Sequence, residues 1–145
     1  MFLSVFDVFK IGVGPSSSHT MGPMVAAGRF LDMLRAAPFS ANGVRATLYG
    51  SLAFTGKGHA TDRAVILGLA GFVPDTFDAE VAQTTLQRIE KRKIICPPGL
   101  PDLRFDPQSD LRFDFETTQP GHSNAMVIEA RDSQGDVILS ETYYS

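Results

Sequence analysis

Three polar segments hold the chain's three histidines, one each, beside serine, threonine and lysine side chains able to do chemistry. The first is Gly12-Val13-Gly14-Pro15-Ser16-Ser17-Ser18-His19-Thr20-Met21-Gly22-Pro23. Glycine permits positive φ and proline fixes φ, so the backbone here is irregular by composition. Ser, Thr and His add donors, acceptors and a group that titrates near neutral pH. An amphipathic pattern follows, which puts a helix N-terminus beside the loop. Such ends carry unpaired N–H groups and attract anions. The chemistry implied is capture of a small carboxylate or phosphate next to a histidine. The plainer reading is a Ser/Gly/Pro linker ending in a helix cap.

The second segment is Thr55-Gly56-Lys57-Gly58-His59, again just before a helical pattern, and the third is Thr117-Thr118-Gln119-Pro120-Gly121-His122-Ser123-Asn124. Loops on a rigid scaffold carry function more often than cores do. His122 borders a strand, where a structural role is equally easy. Several familiar motifs fail. Gly56-Lys57 is followed by Gly58 where a phosphate-binding loop needs Ser or Thr, and Gly50 lies one residue too far upstream. Gly12-Val13-Gly14 has Ser17 where a dinucleotide fingerprint needs glycine. There is no Gly-x-Ser-x-Gly elbow. The histidines at 19, 59 and 122 lack helical ligand spacing, so no metal site is assigned and a histidine-based metal hydrolase is the weakest option.

The elements that must position these segments follow from periodicity. Ala27, Phe30, Leu31 and Leu34 share one face of a helix over about 23–36, with Pro23 suited to its first turn. Val44-Arg45-Ala46-Thr47-Leu48-Tyr49 alternates as a half-buried strand. A helix over about 60–71 is apolar nearly all round and should be buried on most sides. A third helix, about 78–92, turns Ala82, Leu86 and Ile89 inward. It ends in Arg88, Lys91, Arg92 and Lys93, a cationic end that suits the helix dipole. Residues 94–110, with four prolines, read as an extended connector. Leu111, Phe113 and Phe115 mark the inner face of the next strand. Residues 125–131 and 136–144 form a hairpin around Asp132-Ser133-Gln134-Gly135, in which Met126, Ile128 and Ala130 share one face, as do Val137 and Leu139. Residues 1–10, with Val5, Phe6, Val8 and Phe9, read as a short fragment pinning the first loop to the core. This order predicts a two-layer α+β domain with helices on one face of a mixed sheet.

At 145 residues, a single domain over 1–145 is the simplest organisation. A net charge of −3 with interspersed signs speaks against a nucleic-acid footprint, and the apolar runs are too short to span a membrane. The start has no basic n-region, so a signal peptide is not expected. The one cysteine, Cys96, rules out a disulfide within the chain and fits a cytoplasmic location. It also cannot hold an iron–sulfur cluster alone.

The segment Gly12 to Pro23 resembles the N-terminal signature of bacterial iron–sulfur L-serine dehydratases. Leu48-Tyr49-Gly50-Ser51-Leu52-Ala53-Phe54-Thr55-Gly56-Lys57-Gly58-His59 resembles their second block. His122-Ser123-Asn124-Ala125-Met126 is similar to a third, where the family more often shows His-Pro-Asn, and Glu141-Thr142-Tyr143-Tyr144-Ser145 resembles the segment leaving the domain. The resemblance covers essentially the whole chain. It implies the N-terminal, or beta, domain of a single-chain enzyme, cut before the catalytic alpha domain, with a fold like the allosteric substrate-binding domain of some phosphoglycerate dehydrogenases. The implied reaction is loss of water from L-serine to give aminoacrylate, then pyruvate and ammonia. The implied cofactor is a 4Fe-4S cluster in the full-length enzyme, with ligands outside this chain and none within it. The fragment alone should be inactive. Implied partners are the missing domain, L-serine and a second copy in a homodimer.

On this resemblance, Ser16, Ser17, Ser18 and Thr20 bind the substrate carboxylate and Lys57 neutralises it. His19 and His59 are the candidate acid and base, and His122 and Asn124 complete the substrate contacts. The alternative is a regulatory or docking domain that binds serine or another anion without chemistry.

Overall fold

In a computed structural model, residues 18–50, 60–74, 78–114 and 124–144 are described. Helix α1 spans Ser18–Ala36, strand β1 Gly43–Gly50, helix α2 Ala60–Leu69 and helix α3 Ala79–Arg92. Strands β2 (Ile94–Ile95), β3 (Leu103–Arg104), β4 (Leu111–Asp114), β5 (Asn124–Arg131) and β6 (Val137–Tyr144) follow. The architecture is α+β: among the described residues, three helices pack against a six-stranded mixed sheet, as the order of periodic segments predicts.

β1 is the central strand. On one side it pairs in parallel with β3 at Gly43 and with β4 from Ala46 to Tyr49. On the other it pairs antiparallel with β5 along its whole length, from Gly43↔Arg131 to Gly50↔Asn124. β6 closes that side, antiparallel to β5, and β2 closes the other, giving the order β2-β3-β1-β5-β6.

Alternation in β1 decides which face is covered. Val44, Ala46 and Leu48 are buried in the core with Phe30, Leu31 and Leu34 of α1, Val65, Ile66 and Leu69 of α2, and Ile89 of α3. The same face carries Met126, Ile128 and Ala130 of β5. Arg45, Thr47 and Tyr49 point the other way and stay partly exposed. The apolar body of α2 is buried from Ala64 to Leu69, as its all-round hydrophobicity requires. α1 and α2 approach each other closely at Gly68. A Cβ there would lie 2.7 Å from the Ala27 Cβ and 2.7 Å from the Met24 carbonyl oxygen.

Three expectations need correction. First, α1 begins at Ser18 rather than near Pro23, so Pro23 lies inside the helix. The only helical bond lost is the one residue 23 would donate to the His19 carbonyl, a small cost this close to the start. Second, the proline-rich stretch 94–110 is not merely a connector. It contributes β2, β3 and the buried Ile95, Leu103 and Phe105 to the core. Strands of two residues are too short to display a period. Third, Val137 and Leu139 do not behave alike: Val137 is 45% exposed, whereas Leu139 packs against the core. The register shifts between Ala130 and Arg131, opposite Leu139 and Val137, and this bulge re-aims the start of β6. In α3, Thr85 is fully buried and Leu86 only partly, a small rotation of the expected face. The fragment 1–10 and Phe115 lie outside the described residues.

Candidate functional site

The sheet has two ends, and the described residues that flank 51–59 and 115–123 lie at one of them. β1 finishes at Gly50, which pairs with Asn124, the first residue of β5. Its neighbour Tyr49 pairs with Asp114, the last residue of β4. Segments 51–59 and 115–123 are therefore both attached at this Gly50 end. β6 finishes here too, with Tyr144 opposite Ala125.

α1 and α2 run so that their N-termini face the same end. β2 and β3 join through 96–102 at the opposite, Gly43 end of the sheet, and Pro98 lies in that connection. Arg35, in the last turn of α1, donates from Nε to the Pro98 carbonyl at 2.8 Å. Gly71, just past α2, is also against Pro98: a Cβ on Gly71 would be 2.6 Å from the Pro98 Cδ. Both helix C-termini thus converge on Pro98. At 19 residues, α1 is about 28 Å long, against about 26 Å for an eight-residue strand. Arg29, midway along α1, acts electrostatically on Tyr143 near the Gly50 end. The first turn of α1 therefore reaches the Gly50 end, and α2 starts from it, entered through 51–59.

Of the sequence-predicted site residues, Ser18, His19 and Thr20 form the first turn of α1. Their backbone N–H groups are among those an α-helix leaves without internal acceptors. Asn124 opens β5 beside Gly50. Ser16, Ser17, Lys57, His59 and His122 lie outside the described residues. The backbone thus brings the first turn of α1, the attachments of 51–59 and the attachments of 115–123 to one end of the sheet. Two helix N-termini add partial positive charge there.

The open face of the sheet adds groups that sequence reasoning did not single out. Arg45, Thr47, Tyr49, Arg112, Asp114, Glu129 and Arg131 line a cleft of about 600 Å³. Arg45 pairs with Asp110 at 3.4 Å and Arg131 with Glu129 at 3.2 Å. Burial, then the nearby charges of Asp114 and Glu129, push the Tyr49 phenol above its ordinary pKa. The available signal was the polar half of the β1 and β4 alternation. On the covered face near the same end, Tyr143 is pushed up to about 12, chiefly by burial and then by Glu141. Its hydroxyl is buried without a hydrogen-bond partner among the described residues.

Among the described residues, no group of three His, Cys, Asp or Glu is placed to hold an ion. The lone Cys96 is exposed and lies in the 96–102 connection, at the end of the sheet opposite Gly50. A hydrogen bond with Asp102, then burial, raises its thiol pKa and so disfavours the thiolate that would bind iron. An iron–sulfur cluster needs three or four thiolates. This chain's own residues do not fit one. Among the described residues, no helix is long and apolar enough to cross a membrane.

Comparison with known proteins agrees along the whole chain. The family model for the serine dehydratase beta chain matches residues 4–145. The L-serine dehydratase of Streptomyces coelicolor is 44% identical over 100% of this chain and 32% of its own length. L-serine dehydratase 1 of Escherichia coli is 41% identical over 99% of this chain, and the Helicobacter pylori J99 L-serine dehydratase 40% over 98%. The chain spans about a third of the length of these curated relatives.

Proposed function

The chain belongs to the serine dehydratase beta chain family, and from that premise we propose that it is the beta part of an L-serine dehydratase, contributing one wall of the site where serine is deaminated. Its substrate is L-serine and its products are pyruvate and ammonia. The observation that supports this reading is that the described residues flanking three segments lie at one end of the sheet. The first turn of α1, the chain entering α2 and the chain joining β4 to β5 are all anchored at the Gly50 end. Free N–H groups at the α1 start, with the hydroxyls of Ser16, Ser17, Ser18 and Thr20, suit a carboxylate. Lys57 adds a positive charge. His19 and His59 supply groups that exchange protons near neutral pH, as removal of a serine α-proton and loss of its hydroxyl require. His122 and Asn124 complete the polar lining.

The relatives are about three times as long as this chain, which supports a second part of the same enzyme facing this wall. β6 ends at the Gly50 end, so polypeptide continuing past Ser145 in a protein of that length would start beside the proposed site. Any iron–sulfur cluster is held by thiolates of that other part. A protein dependent on it for catalysis would show no turnover from residues 1–145 alone.

The test is steady-state kinetics of the full-length protein with His19→Ala and His59→Ala. Loss of a positioned acid or base should lower kcat by about 10²–10⁴-fold. A domain that binds serine only as a regulator would instead keep kcat at saturating serine and change only its activation. That outcome overturns the active-site reading.

A further inference from the structure

A further cleft, of about 760 Å³, lies at the Gly43 end of the sheet. Strand register sets its floor. Gly43 of β1 pairs with Arg104 of β3 on one side and with Arg131 of β5 on the other. Residues in register share a face, so both arginines stand on the open side of the sheet, opposite to the buried Val44. Neighbouring strands lie about 4.8 Å apart, which puts the two arginine Cα atoms roughly 10 Å apart with no side chain between them. Close packing requires that gap: a Cβ on Gly43 would lie 3.0 Å from the Arg104 carbonyl oxygen.

The charges around the gap differ in their freedom. Arg131 is held, by Glu129 at 3.2 Å and by the Gly135 carbonyl at 3.4 Å. Three carboxylates line the same cleft, and each is tied to backbone N–H groups of a turn. Asp132 accepts from Gln134 and Asp136 at 2.9 Å, Asp106 from Gln108 at 3.0 Å, and Asp110 from Asp106 at 2.8 Å. Among the described residues, no carboxylate pairs with Arg104 or Lys93. Lys93 joins the cleft from the end of α3, at φ 58. Glycine is the residue such a cap favours, and Lys91 and Arg92 in the last turn already complement the helix dipole. Neither the cap nor the dipole calls for a lysine at 93. A side chain kept in a strained conformation beside a cleft is the mark of a binding site.

We propose that this cleft binds a small dianion, a phosphate group or a dicarboxylate, over Gly43, with Arg104 and Arg131 on either side and Lys93 reaching it from α3. Guanidinium forks match paired oxygens, and the lysine adds a point charge. The site lies at the end of the sheet opposite the proposed catalytic wall and stands or falls independently of it.

Amide chemical shifts of the 145-residue chain test the proposal, in titrations with inorganic phosphate, succinate or acetate at fixed ionic strength. Phosphate or succinate should shift the Gly43, Lys93 and Arg104 amides saturably, and the tighter of the two names the ligand class. Acetate, with a single charge, should bind more weakly than either. Arg104→Gln and Lys93→Gly should each weaken binding roughly tenfold, the loss of one charge-assisted contact. Lys93→Gly should do so while raising the urea midpoint, so lost folding does not account for its weaker binding. Absence of saturable shifts at Gly43 with both dianions overturns the proposal. Wild-type affinity in both variants, or acetate binding as tightly as the dianions, also overturns it. Shifts confined to the first turn of α1 would put the anion at the other end of the sheet and overturn it as well.

Discussion

Tyr143 shows how one side chain links packing to pH. It sits on the covered face of β6 opposite Met126, under α1, with its hydroxyl buried and unpartnered among the described residues. Burial first, then the Glu141 charge, holds its pKa at about 12. Below pH 10 the phenol is neutral in both folded and unfolded chains. Between about 10 and 12 the unfolded chain has lost the proton and the folded chain keeps it. Stability should therefore be full below pH 10 and fall as pH rises toward 12. Tyr143→Phe should flatten that decline and, having no orphan hydroxyl to bury, lose little stability at pH 7. Denaturant unfolding at pH 8, 10 and 11.5 checks both outcomes. The chain ending at Tyr143-Tyr144 was legible as strand from its residue types. The burial of one tyrosine was not, because it depends on which helix crosses the sheet edge.

At the scale of elements, packing between α1 and α2 is limited by Gly68. A methyl group there meets the Met24 backbone oxygen and the Ala27 Cβ, both at 2.7 Å, and backbone cannot step aside cheaply. Gly68→Ala should destabilise the fold by about 1–3 kcal/mol although alanine is the better helix former. The opposite is expected at the end of α3. Lys93 caps that helix at φ 58, a left-handed conformation that costs a side-chain-bearing residue energy. Lys93→Gly should raise stability by about 0.5–1 kcal/mol, read as a shift in the urea midpoint. The elements most visible in the sequence were those with long, clear periods: β1, α2, α3 and the β5–β6 hairpin. The start of α1 was hidden by Pro23, which reads as a first-turn residue but sits further in. β2 and β3 were hidden among prolines, and only their buried Ile95, Leu103 and Phe105 reveal them as core.

At the scale of the whole molecule, topology does what no local motif could. Glycine, hydroxyl and histidine content singled out three segments in the sequence, and their chemistry was legible there. The common end of the sheet at which their described neighbours lie was not, since it depends on parallel pairing of β4 with β1, antiparallel pairing of β5 with β1, and convergence of two helix ends on Pro98. The cleft on the open sheet face was also out of reach of one-dimensional reading, because Tyr49 and Asp114 are 65 positions apart yet paired. The central claim is that the Gly50 end of this domain is a catalytic wall in which a histidine exchanges protons with serine. The most direct measurement is the pH dependence of kcat for full-length protein with L-serine, compared among wild type, His19→Ala and His59→Ala. The account predicts a wild-type limb in the histidine range, about pH 6–7, that is lost together with most of the turnover in at least one variant. Wild-type turnover and an unchanged limb in both variants would contradict it.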